Sequence, residues 1–223
     1  MKKTVRAIDI GFGTTTVVTE KGASGWNTRT FPSIAAPIEE SRTNISDEVF
    51  GSTRNVTVKV EGSAYEIGED VLSKVDPKSV RVLNSNYIDS DQYRALALGS
   101  LSMMNLDESN NTIDMLVCSL PGSNMHKKSV LENMLTGEHE LNGRVITVKK
   151  TWVIAQPIGG VLAFFKQAGK HELQTLLSES VLLIDVGYLT VDFTVVSRFI
   201  ASEARSGAID YGMSKLLSSV ESE

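Results

Sequence analysis

Two stretches of this 223-residue chain set an aspartate, a glycine and a hydroxyl in the same order. The first is Ala7-Ile8-Asp9-Ile10-Gly11-Phe12-Gly13-Thr14-Thr15, and the second is Leu183-Ile184-Asp185-Val186-Gly187-Tyr188-Leu189-Thr190. In each, an apolar run meets an Asp, a spacer and a Gly follow, and hydroxyl-bearing residues lead away. A glycine turn lets backbone N–H groups point at phosphate oxygens, and adjacent hydroxyls add donors. An Asp at the strand end supplies a hard oxygen that can hold Mg²⁺ through water, because Mg²⁺ keeps most of its hydration shell. Two such turns can grip a polyphosphate from both sides. One Asp-x-Gly alone means little, since both residues are simply good turn formers. The repetition, each time after an apolar strand and before Thr, carries the argument.

The surrounding pattern predicts the elements that must hold these turns. Val5–Ile10 reads as a buried strand and Thr14–Thr19, rich in β-branched residues, as its hairpin partner across Gly11-Phe12-Gly13. The two glycines bracketing Phe12 suit a tight reversal needing positive φ, or a close approach of backbone to ligand. Val181–Ile184 reads as another buried strand, with Val191–Val196 returning and Phe199–Ala204 as the next strand. A dinucleotide fingerprint would need a third glycine and a helix directly after the loop. Thr16 stands at that glycine's place and a β-branched strand follows, so that reading fails.

Between the two hairpins, residues 31–75 read as an irregular insertion. It holds Phe31-Pro32-Ser33, a polar stretch from Glu39 to Glu48, and two alternating runs, 56–60 and 65–67, joined at Gly62-Ser63. Tyr93–Met104 carries Leu96, Leu98, Leu101 and Met104 at helical spacing, and a polar loop follows at 107–111. Thr112–Ser119 is a strand ended by Leu120-Pro121-Gly122, and Met125–Leu135 is helical. Glu138–Val148 alternates about Asn142-Gly143, the signature of a type I′ hairpin. After the strand Trp152–Ile154, Pro157 opens a helix that stops at Gly169. Ile209–Val220 reads as a final helix with Leu216, Leu217 and Val220 on one face.

Composition is that of a globular protein, with 41% hydrophobic and 22% charged residues. A net charge of −5 argues against general affinity for nucleic acid or an anionic membrane. No apolar run reaches the length of a membrane span, and the N-terminus lacks a signal peptide's apolar region, so a cytoplasmic location is expected. The single cysteine, Cys118, excludes a disulfide framework and reads as core. His126, His139 and His171 are scattered in polar surroundings, Lys127-Lys128 and Lys149-Lys150 read as solvated, and Trp26 and Trp152 are expected in the core. No nucleophile elbow accompanies a triad order.

The chain resembles the bacterial actins of plasmid segregation, the ParM/StbA group, and is similar in style to the plasmid PRTRC-system protein D. The resemblance rests on the two Asp-Gly hairpins. It is extended by Phe31-Pro32-Ser33, Ile67-Gly68-Glu69-Asp70, Ser119-Leu120-Pro121 and Gln156-Pro157-Ile158-Gly159-Gly160. It implies an α/β, actin-like (ribonuclease H-like) ATPase fold, with a mixed sheet, flanking helices and an incomplete second domain. Domain I would cover 1–156 with a small insertion subdomain at about 32–90. Residues 157–175 would be the interdomain helix and linker, and 176–223 the beginning of domain II.

The resemblance implies ATP (or GTP) and Mg²⁺ as ligands. Asp9 and Asp185 would hold the metal through water. Gly11, Phe12, Gly13, Thr14, Thr15, Gly187, Tyr188, Leu189 and Thr190, with Asp9, would line the phosphates. Gln156 and Asp185 would orient the attacking water, and a neutral amide there implies slow hydrolysis. Two departures stand out. Thr14-Thr15-Thr16-Val17-Val18 offers no Lys to reach the phosphates, and the family's adenosine-binding half continues beyond Gly207-Ala208-Ile209-Asp210-Tyr211-Gly212. The chain is therefore expected to be cut short, with an exposed apolar face and a tendency to self-associate. The implied function is a nucleotide-dependent, filament-forming ATPase that moves plasmid or phage DNA through a DNA-binding adaptor, without binding nucleic acid or membrane itself. The alternative is a non-catalytic relative that keeps the fold without competent hydrolysis. A sugar kinase of the same superfamily lacks a candidate sugar-facing base here.

Overall fold

The computed structural model describes residues 3–23, 25–38, 54–76, 80–81, 86–106, 111–198 and 200–221. The polar stretch at 39–48, most of the loop at 107–111 and the start of the strand expected at Phe199 lie outside them. The chain forms two compact units, Met1–Cys118 with Glu132–Trp152, and Ser119–Leu131 with Val153–Glu223.

The first unit is organised on a mixed sheet. Strands β1 (Val5–Ile10), β2 (Thr14–Lys21) and β3 (Trp26–Pro32) form an antiparallel meander. A second small sheet contains β4 (Ala36–Pro37), β5 (Asn55–Val60) and β6 (Ser63–Gly68), in the order β4-β6-β5. The β5–β6 turn is two residues, Glu61 (φ 47°) and Gly62 (φ 84°), with Val60 opposite Ser63. That is one residue earlier than the Gly62-Ser63 turn expected from the sequence, because both central positions of this turn type need positive φ.

Helix α1 (Asp91–Ser102) starts where the Ser90 hydroxyl accepts the Tyr93 N–H at 3.2 Å. It buries Tyr93, Ala95, Leu96, Ala97 and Leu101 and packs against β1, β5 and β6. The strand expected over 112–119 breaks at Asp114. Its first piece, β7 (Thr112–Ile113), joins a separate sheet, while β8 (Met115–Leu120) runs parallel to β1. The Asp114 carboxylate accepts the Thr4 N–H and the Lys149 ammonium, each at 2.8 Å, and so fixes the break. Cys118 on β8 is buried, and that burial pushes its thiol pKa up.

The helix expected over 125–135 begins as a tight 3-10 turn, Gly122–Lys127, and continues as α2 (Lys128–Leu135). Strands β9 (Gly137–Leu141) and β10 (Arg144–Val148) turn on Asn142 (φ 52°) and Gly143 (φ 74°), as the Asn-Gly signature predicts. β10 pairs with β7 in parallel. β11 (Thr151–Ala155) completes the large sheet in the order β11-β8-β1-β2-β3, and β8 and β11 run on along the chain into the second unit. The two tryptophans are not in the core. Trp26 opens β3 and Trp152 faces outward from β11, both on edge strands and each over two-fifths exposed. The Lys21 ammonium lies 5.6 Å above the Trp26 ring.

In the second unit, α3 (Gln156–Gln167) starts with Pro157 in its first turn and ends before Gly169 as expected, and a second helix that the sequence reading did not include, α4 (Lys170–Ser178), follows. Strands β12 (Ser180–Val186), β13 (Val191–Ser197) and β14 (Ile200–Ile209) form an antiparallel meander. The last strand therefore runs through Ile209, and the final helix, α5 (Met213–Glu221), starts four residues later than expected. α3 packs on β12 and β13, where Val161, Phe165, Leu183 and Val196 line an apolar hollow of about 300 Å³. β12 is apolar on both faces, the pattern of a strand buried on two sides. Only Val181 and Leu183 are partly covered. Leu182, Ile184 and Val186 are 56%, 63% and 58% exposed, so the expectation of a fully buried strand fails on that face. Leu216, Leu217 and Val220 of α5 are exposed as well.

Candidate functional site

The first hairpin closes when the Gly11 N–H donates to the Thr14 carbonyl at 3.0 Å. A Cβ on Gly11 would lie 3.2 Å from that oxygen, so close approach favours glycine here, and neither Gly11 nor Gly13 adopts the positive φ expected of the turn. Asp9, at the end of β1, is exposed. The carbonyls at the apex face backwards. Arg81 Nη1 donates to the Phe12 carbonyl at 2.7 Å and to the Gly13 carbonyl at 3.1 Å, and the Ser33 N–H also reaches Gly13 at 3.0 Å. The Ser33 and Thr15 hydroxyls are hydrogen-bonded at 2.9 Å, in the buried layer beneath the turn. The Phe12 ring stacks on Tyr87 with centroids 5.0 Å apart, and Tyr87 meets Tyr93 of α1 edge-on at 5.2 Å. Burial holds the Tyr87 phenol well above its ordinary pKa, outweighing the lowering effects of Ser33 and Arg81.

The second hairpin repeats this construction in the other unit. The Gly187 N–H donates to the Thr190 carbonyl at 2.9 Å, and a Cβ there would lie 3.0 Å from the same oxygen. Its backward-facing carbonyls are held by the segment that opens α5. Met213, Ser214 and Gly212 N–H groups donate to Gly187, Tyr188 and Leu189 at 3.0, 2.8 and 3.0 Å. Asp185 is exposed near the end of β12 and lies opposite Asp192 in the strand register. The Asp192 carboxylate accepts the Thr190 hydroxyl at 2.7 Å. Asp192 is thus a candidate that the sequence reading did not include. Its signal was available, since it is the second residue of the strand that returns from the Asp185-Val186-Gly187 turn, and a two-stranded hairpin sets it across from Asp185.

In a trans peptide the C=O of one residue and the N–H of the next point in opposite directions. Carbonyls held from behind therefore aim the N–H groups of Gly13 and Thr14, and of Tyr188, Leu189 and Thr190, out of the front of each turn. Gly11 and Gly187 use their own N–H groups to close the turns. Asp9 and Gly11 to Thr15 thus come together on one hairpin, and Asp185 and Gly187 to Thr190 on the other. Gln156 is the half-buried first residue of α3, in the same unit as the second hairpin.

The mixed sheet that holds the first hairpin and the antiparallel sheet that holds the second, each with flanking helices, define an α/β fold with the same turn in both units. The family model described as "Actin like proteins N terminal domain" matches residues 7–159, and the chain belongs to the actin-like proteins. Solved structures agree on the fold. An AlfA filament bound to AMPPNP is 16% identical with a TM-score of 0.70, over 95% of this chain and 71% of that one. The apo ParM of psk41 is 16% identical with a TM-score of 0.71, over 98% and 70% of the two chains. A ParM from a 15-stranded Clostridium botulinum filament is 22% identical with a TM-score of 0.70, over 100% and 70%. No curated protein matches the chain in sequence. Among the described residues no helix is long and apolar enough to cross a membrane.

Proposed function

We propose that this chain binds ATP (or GTP) with Mg²⁺ and that each of its two Asp-Gly hairpins offers donors to the nucleotide's phosphates. The observation that carries the reading is the same turn built twice. Each turn is closed from a glycine N–H to a threonine carbonyl three residues on, at 3.0 and 2.9 Å, and each follows a strand that presents an exposed Asp. Gly13, Thr14, Tyr188, Leu189 and Thr190 offer N–H groups to phosphate oxygens, with Phe12 and Thr15 shaping the first turn.

The donor set fits Mg²⁺. Asp9 and Asp185 are exposed carboxylates of the hard-oxygen type that takes a hydrated ion. Asp192 stands opposite Asp185 in the strand register and adds a second carboxylate of the same type. Bound Mg²⁺ would neutralise charge on the phosphates. Gln156 and Asp185 would orient the attacking water, and since an amide is a poor base, turnover by the whole protein would be slow.

Family membership and the filament form of the AlfA and ParM neighbours support a further reading. In it the protein is a cytoplasmic, nucleotide-dependent filament ATPase that carries plasmid or phage DNA through an adaptor. The absence of a lysine in Thr14-Thr15-Thr16-Val17-Val18 favours a second reading, a relative that keeps the fold without competent hydrolysis. Calorimetry with ATP and Mg²⁺ tests the first, on the unsubstituted chain and on Asp185→Ala. Saturable binding that Asp185→Ala abolishes supports it, and binding unaffected by the substitution sinks the two-hairpin site. ATP-dependent pelleting separates the filament reading from the second.

A further inference from the structure

We propose that Arg81 is the positioning residue of the first hairpin, holding its peptides in the orientation that receives phosphate. The inference rests on the nucleotide reading above and deepens it. In the second hairpin three carbonyls are held from behind by three backbone N–H groups at the start of α5. The first hairpin achieves the same arrangement by another route. One guanidinium nitrogen spans the Phe12 and Gly13 carbonyls at 2.7 and 3.1 Å, and the Ser33 N–H reaches the second of them.

Turning either peptide over would aim a carbonyl oxygen at an incoming phosphate and remove a donor. Glycine at position 13 leaves that turn sterically permissive, so the peptides need an external restraint. Arg81 supplies it with charge-assisted hydrogen bonds, the stronger kind. A cation on the carbonyl side also polarises each peptide and strengthens the N–H on its far side. This places a fixed positive charge behind a hairpin whose following residues, Thr14-Thr15-Thr16-Val17-Val18, contain no lysine. The Phe12 ring stacked on Tyr87 restrains the same apex from its flank. Arg81 thus acts on phosphate through the Gly13 and Thr14 N–H groups.

The test compares the unsubstituted chain with Arg81→Met and Arg81→Lys. It uses calorimetry with ATP and Mg²⁺, thermal unfolding without nucleotide, and amide NMR of Gly13 and Thr14 during titration with AMPPNP. Arg81→Met is expected to weaken ATP binding by about tenfold or more, the scale of a lost charge-assisted hydrogen bond. The Gly13 and Thr14 amide shifts caused by the nucleotide are expected to collapse with it. Arg81→Lys keeps a charge within reach of a carbonyl and should recover most of the affinity and the shifts. ATP binding by Arg81→Met equal to that of the unsubstituted chain overturns this inference alone, as does equal loss in a folded Arg81→Lys. Should Arg81→Met not fold, Arg81→Lys decides by the amide shifts. Absence of binding in the unsubstituted chain overturns the nucleotide reading and this inference together.

Discussion

The Gly212 N–H donates to the Leu189 carbonyl at 3.0 Å, and a methyl group on Gly212 would stand 2.5 Å from the carbonyl carbon of Leu189 and the oxygen of Tyr188. The hairpin and the start of α5 can approach this closely only because the residue between them has no side chain. Gly212→Ala must push one backbone segment off the other and break the hydrogen bonds that hold the turn's carbonyls. A cost of roughly 1–3 kcal/mol in unfolding free energy follows from such overpacking. Urea denaturation measures it, and an unchanged midpoint would contradict the packing described.

A second close approach fixes α1 against the insertion. A Cβ on Gly99 would collide with the Cδ1 of Ile67, which is fully buried on β6. Gly99→Ala should therefore destabilise by about 1–3 kcal/mol, despite the roughly 1 kcal/mol that alanine offers over glycine in a helix. Removing the offending methyl with Ile67→Val should restore part of the loss. A double-mutant cycle reads this as a coupling of about 0.5 kcal/mol or more; simple additivity would show the two positions to be independent.

Asp114 couples the N-terminal strand to the β10–β11 turn, and its pKa lies below the ordinary carboxyl value. The Lys149 hydrogen bond is the largest cause, followed by that of the Thr4 N–H. Because the folded pKa is the lower one, the stabilisation is present above the unfolded value, about 3.9. It is lost as pH falls through the folded value. Asp114→Asn should thus lower the melting temperature slightly at pH 7 and less as the pH falls toward 3. An equal loss at both pH values would remove the charge from the explanation.

The uncovered face of β12 should make the chain associate. Leu182, Ile184 and Val186 form an exposed apolar row on a strand that lies at its sheet's edge among the described residues, and such an edge is a template for further pairing. Sedimentation velocity is expected to show concentration-dependent association that falls sharply in the double variant Leu182→Thr, Ile184→Thr. A monomer at every concentration, or association untouched by the double variant, would show that this face is inert.

That α1 is a helix follows from apolar spacing, and the turns follow from residue chemistry. Asp-x-Gly before hydroxyl-rich strands, Asn142-Gly143 with both residues at positive φ, and Pro157 at the start of α3 are decided within a few residues of chain. Local stereochemistry sets them, so they are legible in the sequence, and the actin-like class is legible with them. The rest depends on residues far apart. No local pattern brings Arg81 to the carbonyl of Phe12, sends the two halves of residues 112–120 to different sheets, or lays Gly212 on the second hairpin. The continuous apolar run of β12 records that both faces suit burial, but not that only one is covered, and the same gap misplaced Trp26 and Trp152. Sequence periodicity carries the polarity of each face. What lies against that face is a non-local contact, and only the tertiary structure decides it.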